Sequence, residues 1–341
     1  MYCRRVADGG WGPGPILIAD DIADVDIQAL GITVTMNKRV GIIGCGWVGT
    51  SVALSTLQSG VADELWLHDL RADLAEGEAM DLAHGAAFYP RCQVQATPIE
   101  QMRSAQVVVV AAGRGGKPGE SRLDLLRDNA RVVAEIGRTL AGFGGIVVLV
   151  TNPVDVLTQV MTEASGLPPE RVLGTGTMLD TARLRQMLGQ RLNLATHSLH
   201  AQVVGEHGDS EVVLWSGARV GGVALRDWPG WDADNEPRFA AEVRNAAFEV
   251  IRRKGATNHA IGLVTANLLR SLLRGERRLL TVSRLQQGAL GLQGVALSLP
   301  TVVGQDGGVQ VLAPAMDEAE RLALMASAQV LRGALASLTA A

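Results

Sequence analysis

The segment Val203-Val204-Gly205-Glu206-His207-Gly208-Asp209-Ser210-Glu211 runs two valines into a glycine-flanked histidine set among carboxylates. An imidazole titrates near neutrality, which suits it to pass a proton at physiological pH. Alone, such a histidine is as readily structural as catalytic. A second segment, Gly174 to Arg183, supplies partners: Asp180 and Arg183 are three apart and share one face of a helix. A buried carboxylate can orient and charge-stabilise an imidazole. A guanidinium fork can grip a carboxylate through two parallel hydrogen bonds.

A third constellation binds rather than reacts. Gly44-Cys45-Gly46-Trp47-Val48-Gly49 follows the apolar run Arg39 to Gly44 and opens a helix-length stretch. In that setting the first glycine permits a tight turn, the second lets backbone approach a pyrophosphate, and the third lets helix pack on strand. The helix N-terminus then presents N–H groups to the anion. Asp69 ends the next apolar run, about 20 residues on, where a carboxylate can accept from adenosine ribose hydroxyls. Its charge disfavours a 2′-phosphate, so NAD is the expected cofactor, with Arg71 the one nearby feature favouring NADP. Cys45 and Trp47 read as packing residues.

These residues need a scaffold. The runs Arg39 to Gly44, Glu64 to Asp69, Val107 to Ala111 and Ile146 to Val150 alternate with helix-length stretches, which predicts βα units and a parallel sheet covered on both faces. Beyond them the pattern changes: Ser198 to Val204 reads as strand, Phe239 to Lys254 as helix, Thr281 to Gly308 as glycine-punctuated hairpins, and Met316 to Leu335 as a C-terminal helix. The expected fold class is α/β, a Rossmann-type doubly wound parallel sheet plus an α+β substrate domain. The expected boundaries are an N-terminal tail of unknown role (1–37), a nucleotide-binding domain (38–173) and a catalytic domain (174–341). Met36, just before the first strand, is an alternative start of the functional chain.

With 341 residues, 47% of them hydrophobic, the chain can bury a large core. A net charge of -4 gives no basic footprint for nucleic acid and no polybasic membrane signal. Three scattered cysteines, Cys3, Cys45 and Cys92, lack the spacing of a disulfide framework or a metal site, which fits a reducing cytoplasm. No apolar run reaches the roughly 18 residues of a membrane span. Small molecules, or copies of the chain itself, are the expected partners.

Four motifs in order, K-P-G-E-S-R (Lys117 to Arg122), T-N-P-V-D (Thr151 to Asp155), L-D-T-A-R (Leu179 to Arg183) and G-E-H-G-D-S-E, resemble the lactate/malate dehydrogenase family over Lys38 to Leu335. The resemblance implies that His207 exchanges a proton with the substrate oxygen and that Asp180 fixes its tautomer. It implies that Arg183 pairs with the substrate carboxylate and that Asn152 hydrogen-bonds the reacting oxygen. Arg122 would polarise the carbonyl from a glycine-rich lid, Gly113 to Gly119. Val48, Ala112, Gly113, Asn129 and Asn152 join Gly44, Gly46, Gly49 and Asp69 as candidate cofactor contacts. No metal is expected.

In this family the residue before the loop lysine contacts the substrate side chain, commonly Gln in lactate enzymes and Arg in malate enzymes; here it is Gly116. Thr257, Ala246 and Ala247 match the lactate branch. An L-lactate dehydrogenase of glycolysis or fermentation is therefore expected. The open space at Gly116 implies some tolerance for larger apolar 2-oxo acids, each buried methylene contributing about 0.8 kcal/mol. Three alternatives stay open: a malate dehydrogenase, with Arg114 swinging inward as the second cation; a dehydrogenase of larger apolar 2-hydroxy acids; and a non-catalytic NAD-binding protein. Arg183 and Arg185 point about 200° apart on a helix, and the odd offset between His200 and His207 puts them on opposite faces of a persisting strand. Arg185 and His200 match positions that bind fructose-1,6-bisphosphate in activated bacterial relatives. A homotetramer with an anion site is the expectation, with ordinary interface or surface residues as the alternative.

Overall fold

The computed structural model describes residues 3–5, 11–13, 37–116 and 122–339, with the side chains of 3–5, 11–13, Arg122 and Thr339 excepted. Residues 1–37 and 38–341 form two separate units. In the first, β1 (Cys3–Arg5) and β2 (Trp11–Pro13) pair antiparallel, a pairing that the Gly/Pro-rich sequence did not suggest.

The second unit is built on βα alternation. In order come β3 (Arg39–Ile43), α1 (Trp47–Ser59), β4 (Glu64–His68), α2 (Ala72–His84), β5 (Gln93–Ala96), β6 (Val107–Val110), α3 (Arg122–Thr139), β7 (Ile146–Leu149), α4 (Val154–Ser165) and β8 (Val172–Gly174). Every residue of β6 and β7 is buried. Alternate residues face opposite ways along a strand. Val108, Val110, Val147 and Leu149 accordingly enter one core with α3 and α4, while Val107, Val109, Ile146 and Val148 enter another with α1 and α2. Each such side chain taken from water contributes about 1.5–3 kcal/mol, which is why unbroken valine runs form central strands.

The next elements are α5 (Met178–Leu192), β9 (Leu199–His200), β10 (Val203–Val204), β11 (Val212–Val213), β12 (Arg219–Val220) and β13 (Val223–Ala224). Then follow α6 (Glu236–Lys254), α7 (His259–Arg274), β14 (Arg278–Gln287), β15 (Gln293–Gly304), β16 (Gly307–Val311) and α8 (Glu318–Thr339). The main sheet has nine strands in the order β16-β15-β14-β8-β7-β6-β3-β4-β5. From β8 to β5 the strands are parallel, and numbered by occurrence their order is that of a doubly wound nucleotide-binding sheet. Strand order reverses between β3 and β6, opening a crevice at their carboxyl ends. β14, β15 and β16 add an antiparallel extension.

The expected strand Ser198 to Val204 does not persist. It breaks at Ala201-Gln202, with β9 pairing to β12 and β10 to β11 in separate small sheets. The parity argument for His200 and His207 therefore has no strand to act along. Among the described residues, no helix is long and apolar enough to cross a membrane.

Candidate active site

The nucleotide turn follows β3 at the switch point. Gly44 has φ +101°, and a Cβ there would strike the backbone of Ala112 beyond β6. A Cβ on Gly49 would run into the Gly44 carbonyl, so the third glycine lets α1 close against the turn itself. A Cβ on Gly46, by contrast, would meet nothing within 4 Å: the backbone there borders open space. Gly46 caps α1 without a side-chain hydrogen bond, and no acidic residue stands in the first turn. Free N–H groups, an open cradle and no competing carboxylate fit a dinucleotide pyrophosphate. Asp69 closes the other side, accepting from the Cys45 N–H (2.9 Å) and the Arg71 N–H (3.0 Å). Its carboxylate is thus fixed beside the turn, with Arg71 paired to it at 3.8 Å.

Val48 packs at the edge of the core beneath this turn. Cys45 is buried as expected, and burial, with Asp69 and Glu78 nearby, pushes its thiol up to about 12. Trp47 is not a packing residue: it is 64% exposed, because the first turn of α1 turns that position away from the sheet. Beside the turn, buried Asn129 of α3 ties two loops together. Its Oδ1 accepts from the Arg114 N–H (2.9 Å), and its Nδ2 donates to the carbonyls of Arg114 (3.2 Å) and Asn152 (3.1 Å). Thr151 Oγ1 donates to the Ala112 carbonyl (2.7 Å), next to Gly113. Asn152, exposed at the end of β7, has its Oδ1 engaged by the Val154 N–H (3.2 Å).

Three elements converge on His207. From α5, Asp180 Oδ2 lies 2.6 Å from His207 Nδ1, and Asp180 Oδ1 accepts from Arg183 at 2.8 Å. The i, i+3 spacing read from the sequence does place both on one face. From α4, Asp155 Oδ2 accepts the His207 main-chain N–H at 2.7 Å. The loop itself is pinned to α8: Ser327 Oγ accepts from the Glu206 N–H (2.8 Å), and Glu206 holds the Ser210 hydroxyl. Gly205 has φ +84°, and a Cβ there would collide with Ser327, so glycine is needed where β10 turns into the loop.

The electrostatics follow from burial of this cluster. Burial works against the charged imidazolium, but Asp180 and then Asp155 outweigh it and push His207 up to about 9, with Arg183 opposing. Burial likewise works to raise Asp180, yet His207 and Arg183 hold it below the usual carboxylate range. Burial pushes Asp155 up to about 6 against the Ser283 hydroxyl and the His207 amide. Burial, reinforced by Asp180, raises Glu211, which is only 5% exposed. A protonated imidazole beside an ionised carboxylate can deliver a proton, and the pair can take one back.

Other expectations fall at the margin. Arg114 is ion-paired with Asp128 of α3, Nη2 to Oδ2 at 2.7 Å, so it is committed outside the catalytic cluster. Gly116 ends the described part of its loop, and Lys117 to Ser121 and the Arg122 side chain lie outside the described residues. Thr257 is half-buried between α6 and α7. Arg185 and His200 line one surface cleft of about 380 Å³ with Gln202 and Pro314; His207 is not part of it. Asp155, Glu211 and Ser327 were assigned no role in the sequence. A lone carboxylate in the apolar run Val154-Asp155-Val156-Leu157 was the available signal, because buried charges need partners.

Residues 38–174 match the family model for the lactate/malate dehydrogenase NAD binding domain, and 177–341 match that for the alpha/beta C-terminal domain. The chain is 44% identical to the L-lactate dehydrogenase of Synechococcus sp. (strain JA-3-3Ab), over 87% of this chain and 98% of the relative. To that of Thermus aquaticus it is also 44% identical, over 88% and 99% respectively. Among solved structures, the minor L-lactate dehydrogenase of Enterococcus mundtii superposes with TM-score 0.86 at 36% identity, covering 89% of this chain and 98% of that one. With the nucleotide turn, the His207–Asp180–Arg183 cluster and both halves of the sequence all matching in this way, the chain belongs to the lactate/malate dehydrogenase family.

Proposed function

We propose that this protein is an NAD-dependent L-lactate dehydrogenase that interconverts L-lactate and pyruvate. The observation that carries the reading is the relay His207–Asp180–Arg183, in which one buried carboxylate binds both the imidazole and the guanidinium. With Nδ1 committed to Asp180, Nε2 is the atom that protonates the 2-oxo oxygen during reduction and accepts the proton during oxidation. Asp180 keeps the imidazole charged and correctly turned. Arg183, held by Asp180 at one nitrogen, retains donors for the substrate carboxylate. Asn152, whose Oδ1 is occupied, offers its Nδ2 to the reacting oxygen, and Arg122 serves the same oxygen from the loop. NADH, when bound, supplies the hydride. The Gly46 cradle, Asp69, Val48, Ala112, Gly113 and Asn129 hold and orient it.

Pyruvate is favoured over a dicarboxylic acid because Gly116 brings no second cation and Arg114 is already paired with Asp128; an unpaired buried carboxylate would be costly. The enzyme acts in the cytoplasm, with Cys45 and Cys92 as free thiols. Its nucleotide domain spans 38–173 and its catalytic domain 174–341, in a homotetramer. The cleft shared by Arg185 and His200 is the candidate site for fructose-1,6-bisphosphate, and neighbouring Arg278 adds a second guanidinium near Arg185.

Initial rates of NADH oxidation with pyruvate, oxaloacetate and 2-oxobutyrate, with and without fructose-1,6-bisphosphate, test the substrate and effector assignments. Pyruvate should lead, with 2-oxobutyrate close behind because of Gly116. Dominance of oxaloacetate would overturn the substrate assignment, and an unchanged rate at millimolar effector across several pH values would remove the regulatory site.

A further inference from the structure

We propose that Asp155 is a positioning residue for His207, acting through the histidine main chain and through its own negative charge. This rests on the lactate dehydrogenase reading above. Asp155 sits in the first turn of α4, is 2% exposed, and its Oδ2 accepts the His207 N–H at 2.7 Å. It reaches that partner across 52 positions of sequence, from the helix that follows β7 and the Asn152 turn. The groups that favour its ionised form at close range, the Ser283 hydroxyl and the His207 N–H, are neutral donors. The carboxylate therefore keeps its net charge, and its field falls on the imidazole. Asp180 grips the ring and Asp155 grips the backbone of the same residue.

The groups acting on His207 are Asp180 and Arg183 from α5, Asp155 from α4, and Glu211 from its own loop, with Glu206 acting on Asp155 and Arg244 of α6 acting on Glu211. Asp155 raises the proton affinity of His207 directly, as the next carboxylate after Asp180. Burial places its own titration at about 6, so its charge is present throughout the range in which His207 loses its proton.

The test is Asp155→Asn in the full-length enzyme, which keeps an acceptor for the His207 N–H and deletes the charge. Asp155→Ser, with a hydroxyl acceptor, is the second uncharged variant should the first fail to fold. Reduction of pyruvate needs the imidazolium and oxidation of lactate needs the neutral ring, so kcat/KM is followed against pH in both directions. The expected result is a downward shift of both limbs by about one pH unit. From a starting value of about 9, that shift raises the neutral fraction at pH 7.5 roughly eight-fold and lowers the charged fraction at pH 8.5 roughly three-fold. Lactate oxidation then gains several-fold at pH 7.5 while pyruvate reduction loses at pH 8.5. Asp155→Glu, which restores the charge, should return the limbs to their wild-type positions. A parallel fall in both directions with unmoved limbs would mean a merely structural residue and would overturn the proposal. A wild-type enzyme inert with pyruvate would remove the underlying reading and this proposal with it, an outcome distinct from unmoved limbs in an active enzyme.

Discussion

Replacing Asp180 by Asn isolates what the buried carboxylate does for His207. In the native cluster the imidazole holds its proton up to about 9 because Asp180, 2.6 Å from Nδ1, outweighs the burial that disfavours charge. An amide in the same place leaves the burial and removes the larger part of the compensation, with Asp155 remaining, so His207 falls toward the reference value of about 6.5. The difference of about 2.5 units corresponds to about 3 kcal/mol of lost preference for the imidazolium. At pH 7.5 the protonated fraction drops from nearly all to about one in ten, so kcat/KM for pyruvate reduction falls at least about ten-fold from protonation alone. Loss of ring orientation and of the Arg183 contact at 2.8 Å multiplies that deficit, toward the order of 10³. The two components separate by pH. At pH 5.5 even an unassisted imidazole is mostly charged, so the protonation component disappears and the deficit should shrink about ten-fold. The assay is stopped-flow NADH oxidation with saturating cofactor at both pH values, with circular dichroism to establish that the variant is folded. A deficit of equal size at pH 5.5 and 7.5 would refute the electrostatic role assigned to Asp180.

Two further outcomes follow from the geometry. Gly49→Ala places a Cβ against the Gly44 carbonyl, which forces α1 away from the turn; NADH affinity, read by fluorescence titration, should weaken at least ten-fold while pyruvate-site residues stay intact. Glu211→Gln concerns stability: burial pushes the Glu211 carboxyl up to about 8, above its unfolded value, so folding binds protons and native stability falls as pH rises from about 4.5 through about 8. The neutral glutamine is free of that loss, and its thermal midpoint should match wild type near pH 4.5 and exceed it at pH 9; equal midpoints at both pH values would show that Glu211 is ionised at no cost.

What the sequence made legible was local chemistry. The runs Val107 to Val110 and Ile146 to Leu149 announce strands buried on both faces because they are short, unbroken by polar residues and rich in β-branched side chains. Gly44, Gly46 and Gly49 carry their roles in their spacing, and Asp180 and Arg183 share a helix face by period alone. Trp47 was misread because an aromatic among apolar neighbours looks like core, whereas its side depends on where α1 begins. Ser198 to Val204 was misread because period-2 apolarity does not reveal that Ala201-Gln202 lets the chain change sheets. The roles of Asp155 and Ser327 were hidden for a deeper reason. Each acts on the His207 loop from more than fifty residues away, and no local periodicity encodes which loop a buried polar group will meet. The catalytic trio is therefore readable from motifs, but the shell that fixes the imidazole is a product of the fold: α4 and α8 must both be seated on the sheet before His207 has its geometry. It follows that substitutions which loosen the seating of α8, such as enlarging buried Ser327, should act on the proton-transfer step although they touch neither substrate nor cofactor.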